Sequence, residues 1–144
     1  MEQLKAMIVP ITGSCLCGEL TYLCSKPPVW SVNCHCKSCQ KLSGAPFVSA
    51  FSVPSEAFQI KTGKTVAFSR MSESGHSVST FHCAACGTRV CAQSEGNKSL
   101  MNVFAPTLED TSGYEPISNV YLSESASWIV PDEKSFNFEK MPSF

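Results

Sequence analysis

The sequence has no excess of either charge and no long apolar run. Its 11 basic and 12 acidic residues leave a formal net charge of −1, and the basic residues are scattered rather than clustered. No basic surface is therefore expected for a phosphate backbone or an anionic membrane, and a nucleic-acid partner is not expected. The apolar stretch Ala6 to Ile11 is too short for the core of a secretion signal or for a membrane span. We therefore expect a soluble, cytoplasmic protein.

Histidine is also scarce, with three residues, whereas cysteine is abundant, with nine. In a chain without a secretory signal, cysteines are more often metal ligands or catalytic thiols than disulfides, because cytosolic thiol buffers keep them reduced. A redox dithiol or a disulfide scaffold is the alternative. It is disfavoured because the cysteines are so close in sequence that they would compete to form strained bridges.

The length of 144 residues favours one domain, here residues 1–144 with a core over about 11–142. Short runs of β-branched and aromatic residues between turn-forming residues predict strands at Leu20–Cys24, Phe47–Val53, Val78–Phe81, Leu100–Phe104, Asn119–Leu122 and Ser127–Val130. One segment, Cys36–Leu42, has a helical period, and Gly44 should end it. These patterns predict a mostly β fold, either single-layered or barrel-like.

Seven of the cysteines form three clusters. They are Cys15 and Cys17; Cys34, Cys36 and Cys39; and Cys83 and Cys86, which precede Gly87. Residues i and i+2 of an extended segment share a side, and a CxxC pair followed by glycine can curl round an ion. Zinc takes about four ligands, so seven cysteines divide into a closed set of four and an open set of three. Spacing alone does not decide which cluster belongs to the open set.

Three motifs resemble those of the glutathione-dependent formaldehyde-activating enzyme (Gfa) and centromere protein V family, and they occur in the family's order. They are Gly13-Ser14-Cys15-Leu16-Cys17-Gly18; Cys34-His35-Cys36-Lys37-Ser38-Cys39 with Gly44-Ala45-Pro46-Phe47; and Phe81-His82-Cys83-Ala84-Ala85-Cys86-Gly87-Thr88. The likeness continues through Val53-Pro54, Leu108-Glu109-Asp110, Ala126-Ser127-Trp128 and Phe138-Glu139. It therefore extends over about Ile11 to Pro142.

The resemblance implies a β-tent fold of short antiparallel strands stabilised by zinc, with two zinc ions per chain. A structural zinc would be held by Cys15, Cys17, Cys83 and Cys86, and a catalytic zinc by Cys34, Cys36 and Cys39. The family's activity implies a carbon–sulfur lyase whose small-molecule substrate is glutathione, formaldehyde-derived S-hydroxymethylglutathione or another glutathione conjugate. Neither a membrane nor a nucleic acid is implied as a partner, and the oligomeric state is left open.

The general acid or base is not identified by spacing, and the candidates are His35, His76 and His82. We expect His35 to point away from the metal and to support its neighbours or lie at the surface, His82 to pack, and His76 to be exposed. Cys24 and Cys91 are expected to be buried as small apolar residues.

Phe47 and Trp128 could line a pocket or pack in the core. Asn119 stands where many relatives are expected to have histidine. If Asn119 faces the pocket, the substrate or mechanism differs from theirs.

Two functions of different class fit the sequence. The first is the lyase, which requires the site of Cys34, Cys36 and Cys39 to keep an open position for water or substrate. The second is a non-catalytic binding module that uses both zinc ions for folding. In that case a fourth protein ligand should complete the site of Cys34, Cys36 and Cys39. The sequence offers no spare cysteine or histidine near Cys34–Cys39 except His35, so it favours the enzyme.

Overall fold

The computed structural model describes residues 7–142, which form two β-sheets joined by one hydrophobic core. The smaller sheet has three antiparallel strands in the order β1-β2-β5. Their bounds are β1 Ile11–Ser14, β2 Thr21–Cys24 and β5 Phe58–Thr62. The remaining strands belong to one larger sheet.

The larger sheet has eight strands in the order β11-β10-β3-β4-β9-β8-β7-β6. Their bounds are β3 Trp30–Cys34, β4 Val48–Pro54, β6 Thr65–Met71, β7 Ser77–Cys83, β8 Arg89–Ser94, β9 Leu100–Phe104, β10 Ser118–Val120 and β11 Phe136–Asn137. From β3 to β6 all pairs are antiparallel, whereas β10 pairs in parallel with both β3 and β11. The parallel β3–β10 pair brings the chain near residue 120 alongside Cys34.

The core lies between the two sheets. Tyr22 from the small sheet and Phe51, Val53 and Val103 from the large sheet are buried in one cluster. Because side chains alternate across a strand, β4 directs Phe51 into this core and Ala50 to the opposite face of the large sheet. That opposite face is left open, and it forms the floor of a cleft.

The one α-helix in residues 7–142 is α1, Lys37–Ser43. Cys36 caps its start, because the Cys36 Sγ atom accepts a hydrogen bond from the Cys39 amide, and Gly44 ends it in the left-handed conformation with φ 71°. None of the helices in this part of the chain is long and apolar enough to cross a bilayer.

The predicted mainly β fold of short antiparallel strands is confirmed, as are the short helix and the end of this helix at Gly44. The Leu100–Phe104 strand has the predicted bounds. Two other predictions are wrong. The fold is neither single-layered nor a barrel, since two sheets pack together. The segment Ser127–Val130 is a turn and loop that pairs with no strand of residues 7–142. Its Trp128 and Val130 side chains are exposed.

Candidate metal centres

Four cysteines from two distant parts of the chain meet at one end of the core. Cys15 and Cys17 follow β1, Cys83 ends β7, and Cys86 lies in the turn before β8. All four Sγ atoms lie within 4.8 Å of one another. Cys15 and Cys83 are buried, whereas Cys17 is exposed. We name this group the four-cysteine cluster.

The sulfur geometry fits a tetrahedral zinc ion. A tetrahedron with Zn–S bonds of about 2.3 Å has S–S edges of about 3.8 Å. The Cys15 and Cys17 Sγ atoms are 3.5 Å apart, and those of Cys17 and Cys83 are 3.9 Å apart. Backbone amides of Leu20 and Ala85 donate to Cys15 and Cys83, at 3.3 and 3.4 Å, and so favour thiolate ligands. The cluster can therefore hold one zinc ion.

Thr88 ties the two halves of this cluster together. Its Oγ1 atom accepts a hydrogen bond from the Leu16 amide at 3.1 Å and lies 3.2 Å from the Cys86 Sγ atom. The hydrogen bond from Thr88 lowers the pKa of Cys86 to about 5. Thr88 is therefore part of the hydrogen-bonded surroundings of these sulfurs.

The remaining three clustered cysteines, here named the cysteine trio, surround the start of α1. Cys34 ends β3, Cys36 caps the helix and Cys39 lies in its first turn. Their Sγ atoms lie within 4.8 Å of one another, and all three are partly buried. The neighbouring Cys34 and Cys39 thiols, together with the Cys39 amide, hold the pKa of Cys36 far below its ordinary value. Among residues 7–142, no fourth cysteine, histidine or carboxylate joins this group.

His35 lies between two members of the trio in sequence, but its ring is buried and does not join their sulfur atoms. The Nε2 atom is 2.8 Å from Asn119 Oδ1, and the ring centroid is 5.0 Å from that of Phe47. Asn119 Nδ2 in turn donates to Asn137 Oδ1 at 3.0 Å. A surface position for His35 is therefore wrong, since only 1% of it is exposed. Asn119 is buried in this network and does not line the cleft.

The trio lines a cleft of about 1970 Å³ on the open face of the large sheet. Its floor is mainly apolar, with Val32, Val48 and Phe104 contributed by three adjacent strands. Phe47 lines the cleft, as considered from the sequence, whereas Trp128 is exposed and lies elsewhere. The cleft is large enough for a small organic molecule.

Four ionisable residues of the cleft were not predicted from the sequence, namely Arg70, Glu73, Tyr121 and Glu124. Tyr121 has an unusual left-handed backbone, φ 56°, and burial raises its pKa. A non-glycine residue in this conformation is often found at a functional site. None of these residues belongs to a spacing motif, so only the topology of the sheet could have revealed them.

Other expectations were met. Cys24 and Cys91 are buried in the core, where burial raises the pKa of each to about 12. His76 is exposed in its turn, and His82 is partly buried on β7.

Comparisons with known proteins agree with the cysteine motifs. A family model described as glutathione-dependent formaldehyde-activating enzyme matches residues 10–124. A crystal structure of a Rhodobacter sphaeroides protein is similar in fold, with a TM-score of 0.55 and 16% sequence identity. The similarity covers 68% of this chain and 87% of the other. No curated protein sequence matches the chain significantly.

Proposed function

The chain belongs to the glutathione-dependent formaldehyde-activating enzyme family, and from this premise we propose that it is a zinc-dependent carbon–sulfur lyase. Its substrate would be a glutathione or thiol adduct, of the kind represented by S-hydroxymethylglutathione. In the synthetic direction, the thiol sulfur bonds to the aldehyde carbon, the carbonyl π bond breaks, and the thiol proton ends on the new hydroxyl. The reverse direction cleaves the same carbon–sulfur bond.

We propose different roles for the two groups of sulfurs. Cys15, Cys17, Cys83 and Cys86 would hold a structural zinc, which joins segments 66 residues apart through Cys17 and Cys83. Cys34, Cys36 and Cys39 would hold the catalytic zinc. When bound there, zinc can keep a substrate thiol ionised at neutral pH or polarise a carbonyl or hydroxyl oxygen.

The observation that carries the proposal is the position of the trio on the wall of the cleft with three sulfurs and no fourth protein ligand among residues 7–142. A structural site is normally closed by four protein ligands, whereas a catalytic site keeps one position for water or substrate. Phe47 packs on His35 and also lines the cleft, so this wall is firmly supported. A rigid support of this kind helps to hold reacting groups in place.

We further propose that the chain acts as a single domain, with its core over about 11–142, in the cytoplasm. The nine unpaired cysteines support a reducing compartment.

The activity can be tested by NMR exchange between glutathione and S-hydroxymethylglutathione in the presence of formaldehyde. Zinc-loaded protein should raise the exchange rate above the spontaneous rate, and Cys36→Ser should return it to the spontaneous rate. The control is Cys91→Ala, which removes a buried thiol outside both groups and should keep the activity. Absence of acceleration with formaldehyde and with bulkier aldehydes, by fully zinc-loaded protein, would favour the non-catalytic binding module.

A further inference from the structure

Arg70 is a cationic side chain inside the cleft that has no acceptor among the described residues. It lies on β6 and lines the same cleft as the cysteine trio. Among residues 7–142 its guanidinium makes no hydrogen bond or ion pair, and its Nε atom is buried and unpartnered. A polar atom removed from water without a partner is unfavourable, so such a group in a cleft indicates that a ligand supplies the acceptor.

The acidic residues of the cleft do not fill this role, because each already has another partner. Glu73 pairs with Lys140, whose Nζ atom lies 3.2 Å from Glu73 Oε1. Glu124 Oε1 accepts a hydrogen bond from the Lys37 amide at 2.9 Å, at the start of α1. Arg70 therefore keeps its positive charge available on this side of the cleft.

The position of Arg70 relative to the trio comes from the curvature of the large sheet. In the sheet order, β6 is five strands from β3, which ends at Cys34. The chain just after β6 nevertheless reaches the opposite edge of the sheet, because Glu73, which follows β6, pairs with Lys140, which follows β11. The curved sheet thus places an arginine and the three sulfurs around one space.

We propose that Arg70 binds a carboxylate of the thiol substrate while the substrate sulfur lies at the trio. This inference rests on the proposed function and makes Arg70 a residue for substrate specificity. A guanidinium presents a planar pair of donors that matches a carboxylate, and glutathione carries carboxylates on both sides of its thiol-bearing residue. Small thiols without a carboxylate would then be poor substrates.

A competing role for Arg70 is to balance the negative charge of three thiolates. The two roles differ in their effect on metal content. Charge balance predicts that Arg70→Gln loses zinc from the trio, whereas carboxylate binding predicts that zinc content is unchanged and ligand affinity falls.

The test uses calorimetric titration of zinc-loaded protein with glutathione and with glutathione diethyl ester, in which both carboxylates are blocked. Wild-type protein should bind glutathione about tenfold to a hundredfold more tightly than the diester, the range expected for a charge-assisted hydrogen bond. Arg70→Gln should bind both equally weakly. Arg89→Gln, which removes the other arginine lining the cleft, should keep the difference. Zinc is measured in every variant.

Each outcome has a distinct meaning. If Arg70→Gln keeps the full preference for glutathione over the diester, or loses it only together with zinc, the role assigned to Arg70 is wrong while the proposed lyase stands. If zinc-loaded wild-type protein binds neither glutathione nor its conjugates, the proposed function and the role of Arg70 both fail.

Discussion

The His35 Nε2 atom lies 2.8 Å from the Oδ1 atom of Asn119, although the two residues are 84 positions apart. Both side chains are buried. His35 directly follows β3, Asn119 lies on β10, and these two strands run parallel. The amide of Asn119 also donates to Asn137, so its oxygen faces His35 and accepts the Nε2 proton. This contact fixes the segment between Cys34 and Cys36 to β10, next to the edge strand β11.

Removal of this contact should destabilise the fold. We expect Asn119→Ala to lower the free energy of unfolding by about 1–3 kcal/mol, because the His35 donor would be left buried without an acceptor. Urea denaturation of zinc-loaded protein measures the change. Ser123→Ala is the control, since it removes an exposed hydrogen bond to the Glu139 carbonyl and should change stability by less than about 0.5 kcal/mol. Equal stability of both variants would contradict the importance of the His35–Asn119 bond.

Gly13 should not tolerate a side chain. A Cβ atom there would lie 2.6 Å from the Thr107 carbonyl oxygen and would overlap the Tyr22 ring, whose hydroxyl is 2.7 Å from Thr107 Oγ1. Because these groups are buried, Gly13→Ala should destabilise the protein by about 1–3 kcal/mol or more. Gly113→Ala is the matched control, because nothing lies within 4 Å of its added methyl group. Similar thermal midpoints for the two variants would show that the Tyr22 region is loosely packed.

Alkaline pH should destabilise the fold through its buried thiols. Burial raises the pKa of Cys91 to about 12, whereas a cysteine in the unfolded chain loses its proton near pH ~8.5. Between these values the unfolded state releases a proton that the folded state retains, so stability falls as the pH rises. From pH 8 to 10 this thiol should contribute a loss of about 1–2 kcal/mol.

The pH effect is isolated by comparing wild-type protein with Cys91→Ala. The variant should lose less unfolding free energy than wild type over the same pH range, at a fixed level of free zinc. A parallel pH dependence for the two proteins would show that Cys91 is not held protonated by the fold.

The sequence predicted the cysteine groups better than their surroundings. CxC and CxxC spacings are local, so they could be read directly, and so could the apolar run that forms β9, Leu100–Phe104. The partners of His35 and the position of Arg70 depend on contacts between residues far apart in the chain. No local pattern encodes the bond to Asn119.

Strand prediction failed where burial did not follow the expected pattern. Most of β6 is exposed on both faces, so it lacks the alternation that marks a half-buried strand. The opposite error occurred at Ser127–Val130, where an apolar run forms no strand because it lies at the surface, with Trp128 73% exposed.

The central claim is that the two cysteine groups bind metal with different roles, and metal analysis tests it most directly. Zinc per chain is measured for wild-type protein, Cys36→Ser and Cys83→Ser, together with circular dichroism and X-ray absorption at the zinc edge. We predict two zinc ions in wild type, one of which has a non-sulfur ligand. Cys36→Ser should stay folded with one zinc bound only by sulfur, and Cys83→Ser should lose the fold. A single zinc in wild type, or a zinc at the cysteine trio that already has a fourth protein ligand, would contradict the account.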